Sequence, residues 1–458
     1  MTTRGQSDAD EASPEPGDSG EAAKPPPREG LSTRANEQKE SPSQSERLME
    51  EVADPANLNS AWKRVRENGG AAGVDGVTVA AFLKHAKPRS ETLRRELLEG
   101  SYRPSPLRRV VIPKPTGGER LLGIPTVQDR VVQQAFLQVL QPILDPKFSE
   151  HSYGFRPNKS AHQAVAAAQG YIQQGYNWVV DFDLEAFFDR VNHDRLMSRL
   201  GQHIADRRAC WIIRRFLQAG VMENAVLSPT TEGMPQGGPL SPLLANLVLD
   251  ELDKETERRG LRFVRYADDC NVYLRSERAA SNAFGNLTGF IEDTLKLRVN
   301  RAKSAVSRPW ERKLLGFSFM PGKHAKRRIA PKAFAKAKAR IRELTKRGRF
   351  NFQSIMEKLR RYLTGWLGYF RFCQTPSVLY HLEEWTRRRL RSLIWKQWKC
   401  GSTRFAELVK RGVDPAEAAQ LAGSSDGPWH LSRTPLLNQV FPKAWFTAYG
   451  LPQFHVSS

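Results

Sequence analysis

The chain is short of everything that would staple, export or anchor it. Its four cysteines, Cys210, Cys270, Cys373 and Cys400, lie far apart and form no CxxC pair. Neither a disulfide framework nor a zinc finger follows, and reduced thiols of a cytosolic protein are expected. The nine histidines show no HExxH or Cys/His grouping, so no histidine metal centre is expected. No apolar run reaches membrane-spanning length, no lipidation signal occurs, and mean hydropathy is −0.54. A membrane is therefore not an expected partner. The opening "MTTRGQSDADEASPEPGDSG" lacks the basic-then-apolar pattern of a signal peptide, and a cytoplasmic location is expected. Negative charge is scarce too: 49 Asp and Glu against 71 Lys and Arg leave +22. Such an excess points to a polyanionic partner, because basic surface releases counterions from phosphate backbones.

At 458 residues there is length for about two to four compact units. Residues 1–48 hold Pro, Ser, Glu and Gly but almost no large apolar side chains, so a disordered acidic tail is expected there. From residue 49 the texture is globular. "NLNSAWKRVREN" has helical spacing, "RRVVIPKPTGGERLLGIPT" reads as strand-turn-strand, and a helix is expected around Glu91–Glu99. "QDRVVQQAFLQVLQPILDP" is a helix closed by Pro146, and "YNWVVDFDL" is a short buried strand ending in acids. Helices and strands interleave without a βαβ rhythm to about residue 320, which indicates an α+β domain. Beyond Pro321 the pattern predicts helices alone, over 321–400 and on through 401–458. Residues 301–400 carry 27 Lys and Arg against 5 Asp and Glu, a local balance of +22.

"RFVRYADDCNVYLRSE" sets two adjacent carboxylates, Asp268 and Asp269, between strand-like runs. The pair alone fits an acidic hairpin tip or a magnesium site whose cation cancels the repulsion. "WVVDFDLEAFFDRVNHD" offers a third acid. Asp181 and Asp183 share a face if the strand runs through both; if the chain turns after Asp183, only that side chain need reach a metal. Three such carboxylates suit paired divalent ions, which in-line phosphoryl transfer uses. Between them "MPQGGPLSP" is a glycine loop feeding a helix near Ser241, suited to close approach of a phosphate.

In order, a basic hairpin, "GFRPNKSAHQAV", the Asp183 strand, "MPQGGPLSP", "YADD", "VNRAKS" and "LLGFSF" resemble the reverse transcriptases encoded by bacterial group II introns, over about residues 50–450. The resemblance implies a right-hand polymerase, with fingers and palm over 49–320, then an all-α thumb and the maturase region called domain X. It implies two Mg²⁺ ions on Asp183, Asp268 and Asp269. Lys114 and Arg120 would clamp the incoming triphosphate, Phe188 would gate the sugar, Gln236 would contact the nascent base pair, and Lys303 would stand near the leaving pyrophosphate. Leu315, Gly316 and Phe317 match the primer grip. Arg156 and Lys159 are expected on template phosphates. In "WTRRRLRSLIWKQWK", Arg387, Arg388, Arg389, Arg391 and Lys399 are expected on RNA phosphates, with Trp395 and Trp398 stacking on unpaired bases.

The expected activity is RNA-directed DNA synthesis, with maturase assistance to splicing and retrohoming. Expected partners are group II intron RNA, an RNA template with a DNA primer, dNTPs and target DNA; oligomeric state is left open. Two rivals stand beside this reading: a reverse transcriptase with a non-intron role in host defence or a retron-like system, and a non-catalytic RNA-binding splicing factor. The sequence departs from many relatives in showing neither a DNA-binding segment nor an HNH nuclease after domain X.

Overall fold

A computed structural model describes residues 47–113, 119–223, 226–346 and 351–454, with backbone only at 83–90 and 120. The tail expected over 1–48 lies outside the described residues except for its last two positions. Of these, Leu48 opens the helix Leu48–Val52 and is fully buried beside Met49. Helix Val79–Leu98 starts well before the helix expected around Glu91–Glu99, with Thr78 capping its start.

Three sheets are present among the described residues. The first has the order β2–β1–β4–β5, from β1 (Leu107–Pro113), β2 (Glu119–Ile124), β4 (Val221–Glu223) and β5 (Val226–Ser228). The second, central sheet has the order β6–β7–β3–β8, all antiparallel, from β3 (Trp178–Phe182), β6 (Arg262–Tyr266), β7 (Asp269–Leu274) and β8 (Ala305–Ser307). The third is a hairpin of β9 (Phe317–Phe319) and β10 (Arg327–Ile329). Strand β10 corrects the expectation that strands end at Pro321. It is three residues long, too short for alternation to be read.

Both faces of the central sheet are covered, which explains why its strands read as continuous apolar runs. Val180, Phe182, Phe263 and Val272 enter the main core with helices Val127–Leu144, Ser241–Arg258 and Glu277–Gly289. Val179, Val264 and Tyr273 pack on the opposite side against Ala164, Val165, Ala168 and Ile172 of helix Ala161–Gln173. That helix starts at a capping box between Ser160 and Gln163. A third core joins the long helices Pro331–Leu344, Phe352–Phe370 and Pro376–Gln397 to the short helices that follow through Ala448. The architecture is a mixed α/β body followed by an all-helical part.

Candidate active site and RNA interface

The acidic pair sits where β6 turns into β7. Tyr266 pairs with Asp269, so Ala267 and Asp268 form a two-residue connection. Tight turns of this length need a positive φ, and Ala267 supplies it at 56°. A non-glycine residue there costs about 1–2 kcal/mol, so the surroundings must hold the turn. They do so from beneath. Arg265 is fully buried and makes a two-pronged ion pair with Asp253, Nε to Oδ1 at 2.7 Å and a terminal nitrogen to Oδ2 at 2.6 Å. Its other terminal nitrogen donates to the Ala267 carbonyl and to Asn246 Oδ1, both at 2.9 Å. Asn246 in turn donates to the Gly154 carbonyl at 2.9 Å. Gly154 itself lies against the turn: a methyl there would sit 2.3 Å from the Ala267 nitrogen.

Strand β3 ends at Phe182, so Asp181 lies on the strand and Asp183 just past its end. The Asp183 amide donates to Ser304 Oγ at 2.9 Å, and its carbonyl accepts from the Asn300 amide at 2.8 Å. The "VNRAKS" loop thus fixes the backbone that carries this carboxylate. Asp181, still on the strand, is held by Asn271 at 3.1 Å and faces Arg312 at 3.8 Å. Lys303 Nζ stands 3.7 Å from Asp183 Oδ2, the lysine open to solvent and the aspartate half-buried.

These acids repel one another. Desolvation at the turn, then Asp268, then Asp181, and more weakly Asp183, push the Asp269 carboxyl up to about 6 even though the residue is partly open to solvent, with Lys313 opposing. Burial likewise raises Asp181, against the pull of Arg312. Among the described residues no three His, Cys, Asp or Glu side chains close to ligating distance around one point. By donor chemistry the set still fits a hard divalent cation. Its oxygens are the ligands Mg²⁺ prefers, and a cation would cancel the repulsion that raises Asp269.

Beside the acids, the loop "EGMPQGG" lies along the β3 turn. The Met234 amide donates to the Phe188 carbonyl at 2.6 Å, and a methyl at Gly233 would sit 2.9 Å from the Asp189 carbonyl oxygen. Phe188 is half-buried, edge-on to Phe187 with centroids 5.1 Å apart. The Gln236 carbonyl accepts from the Gly123 amide of β2 at 3.1 Å, and Gly237, with φ 130°, leaves no room for a side chain there. This backbone contact brings Gln236 up to the strand that carries Arg120. Arg120 pairs with Ile112 in that hairpin; its side chain and all of Lys114 lie outside the described residues.

Several expected contacts need correction. Arg156 is buried, bonded to Asp145 at 2.8 Å and to the carbonyls of Ser149 and Ser152, so no template phosphate reaches it. Charge marked it as a ligand, but its donors close the loop that ends in Gly154. Lys159 pairs with Glu150 at 2.5 Å and lies over Tyr153. Phe317 is core, so its side chain meets no primer; Leu315 and Gly316 both have positive φ, and Tyr369 donates to the Leu315 carbonyl at 2.7 Å. Trp395 is 1% exposed and cannot stack on a base. Trp398 is half-buried, packing on Trp395 and Phe441. Arg387 pairs with Glu383 at 3.2 Å, Arg389 donates to Thr345 at 2.9 Å, and Arg388 covers Trp429 at 3.9 Å. Lys399 is exposed and Arg391 is buried.

Sequence reasoning missed Arg265, Asp253, Asn246 and Gly154. The usable signal was an arginine inside the apolar run "RFVRY", a residue type that is buried only when paired.

Two family models match the chain. Residues 112–319 match Reverse transcriptase (RNA-dependent DNA polymerase), and residues 334–412 match Group II intron, maturase-specific domain. Protein YkfC of Escherichia coli (strain K12) is 32% identical over 301 residues, covering 57% of this chain and 79% of that one. Group II intron-encoded protein LtrA of Lactococcus lactis subsp. cremoris is 35% identical over 222 residues, 48% of this chain and 36% of that one. Nuclear intron maturase 2, mitochondrial, of Arabidopsis thaliana is 28% identical over 178 residues, 30% of this chain and 24% of that one. The chain therefore spans about a third of LtrA and about a quarter of the plant protein.

Proposed function

The chain belongs to the family of reverse transcriptases and maturases encoded by group II introns, and on that premise we propose how its parts divide the work. The palm cleft is the RNA-directed DNA polymerase centre. A primer 3′-hydroxyl attacks the α-phosphate of a dNTP there, and pyrophosphate leaves. Asp183, Asp268 and Asp269 would hold two Mg²⁺ ions. Such ions, when bound, activate the attacking oxygen and offset charge on the leaving one.

The chain's own residues do the remainder. Phe188 occupies the space of a ribose 2′-hydroxyl, Gln236 lies along the nascent base pair, and Lys303 is poised to protonate the leaving pyrophosphate. Lys114 and Arg120 take the triphosphate, and the Leu315–Gly316 backbone supports the primer end. The observation that supports this reading is the crowding of four carboxylates near one turn, where desolvation first and then their mutual repulsion raise Asp269 to about 6.

The helical part binds the parent intron RNA and steadies its splicing-competent fold, while the RNA performs the splicing chemistry; cDNA is then laid down at target DNA. The maturase-specific match over 334–412 and the +22 balance of 301–400 support this half. Asp268→Asn tests the polymerase half. It should abolish Mg²⁺-dependent cDNA synthesis on a primed RNA template and leave RNA affinity nearly unchanged, since no phosphate contact is lost. Normal extension by the variant would return the pair to an acidic hairpin tip.

A further inference from the structure

With Arg156 bound to Asp145 and Lys159 to Glu150, the motif "GFRPNKSAHQAV" keeps one polar ring that the proposed chemistry does not use, His162. The capping box of Ser160 and Gln163 opens helix Ala161–Gln173, so His162 falls in its first turn. Its Nε2 lies 2.8 Å from the Tyr369 carbonyl; a carbonyl only accepts, so this nitrogen carries the proton. The ring stacks on Phe372 with centroids 4.5 Å apart and stands edge-on to Phe317 at 6.1 Å. Two turns along the same face, Gln169 donates to the Ala325 carbonyl at 3.1 Å and to Gln374 Oε1 at 2.7 Å. It also accepts from Arg327 at 2.6 Å. A helix packed on the central sheet is thus bound to the end of helix Phe352–Phe370 and to the β9–β10 hairpin.

Tyr369 is bonded at both ends. Its backbone carbonyl accepts from His162, and its phenol donates to the Leu315 carbonyl at 2.7 Å. Leu315 has a φ of 50°, a conformation that a branched side chain holds only when its surroundings impose it. Beside it, a methyl on Gly316 would lie 3.1 Å from the Phe370 ring. The Leu315–Gly316 turn therefore rests on Tyr369 and Phe370, and His162 fixes the backbone of that step.

We propose that His162 is a positioning residue for primer extension: it holds the Tyr369 backbone so that the phenol can hold the Leu315 carbonyl at the primer end. This rests on the primer-grip reading of Leu315 and Gly316 given above. His162 acts only through Tyr369.

The test uses full-length protein and three variants. His162→Phe keeps a ring for Phe372 and deletes the donor, while His162→Gln keeps a donor near the Nε2 position and loses the ring. His162→Phe should raise the KM for a primed RNA template about three- to tenfold, change kcat less, and leave the KM for dNTP unchanged. His162→Gln should stay within about twofold of wild type. Added to Tyr369→Phe, His162→Phe should cost little more, because both act on one chain of bonds. Should His162→Phe not fold, His162→Asn against His162→Gln makes the same comparison, since the shorter amide stops short of the carbonyl.

Equal losses in His162→Phe and His162→Gln would make His162 a packing residue and overturn the proposal. So would fully additive effects with Tyr369→Phe, or a wild-type KM for template–primer in folded His162→Phe. Gly316→Ala separates that failure from failure of the grip reading. A raised KM for template–primer in this variant keeps the grip, and a wild-type KM removes the grip and the proposal with it.

Discussion

Gly154→Ala should slow DNA synthesis without touching any side chain that meets substrate. The added methyl would lie 2.3 Å from the Ala267 nitrogen, 3.0 Å from the Tyr266 carbonyl carbon and 3.1 Å from the Ala267 Cα. All three are backbone, so no rotamer can swing away. Restoring ordinary contact, from 3.4 Å upward, requires the turn or the Gly154 loop to retreat by about 1 Å from that 2.3 Å approach. The loop is tied down by Asn246 and by the buried Arg156, so the turn takes much of the shift. A displacement of that size in a reacting constellation costs on the order of a hundredfold in rate, and overpacking costs about 1–3 kcal/mol of stability. Single-turnover extension of a primed RNA template at saturating dNTP reads the first, and thermal melting reads the second. Gly170→Ala is the control, since its methyl would meet nothing within 4 Å and lies in a helix. Wild-type single-turnover rates in a folded Gly154→Ala protein would refute the claim that this glycine sets the position of Asp268 and Asp269.

Three further outcomes follow from the same geometry. Asp253→Asn strips the fully buried Arg265 of its counter-charge and should cost about 3–5 kcal/mol in denaturant melts. The Asp253→Leu/Arg265→Met double variant should recover much of that stability but not the extension rate, because the Ala267 carbonyl loses its donor. A double variant as active as wild type would make the pair a stability device alone. Phe188→Val should raise ribonucleotide incorporation relative to dNTP, measured as a ratio of kcat/KM; an unchanged ratio would make Phe188 simple packing beside Phe187. Tyr369→Phe deletes the 2.7 Å bond to the Leu315 carbonyl and should raise the KM for template–primer more than it lowers kcat. An unchanged KM would show that Gly316 against Phe370 suffices to hold the grip.

The candidate acids were legible because the chemistry proposed for them demands residue types that are conspicuous in sequence. Two adjacent acids flanked by apolar runs, and a glycine-rich loop before a helix, announce themselves, whereas the register that pairs Tyr266 with Asp269 came only with the structure. What supports those residues was not legible. Arg156 and Arg265 are both arginines near acidic segments, and only burial distinguishes a donor that closes a loop from one that meets a phosphate. Trp395 and Trp398 fall in one basic run, but residues three apart on a helix point about 60° from each other. One is sealed in the core and the other half-open. The strand β10 was missed because three residues carry no period, and it exists only through pairing with β9.

The shared helical core has a mechanical consequence. Leu359 and Leu363 of one long helix, Trp395 of the next, and Leu408, Phe441, Phe446 and Phe454 beyond them belong to a single apolar cluster. The expected boundary at residue 400 passes through the middle of that cluster. The thumb and the segment after it therefore cannot be swapped, truncated or moved separately without exposing a common interior.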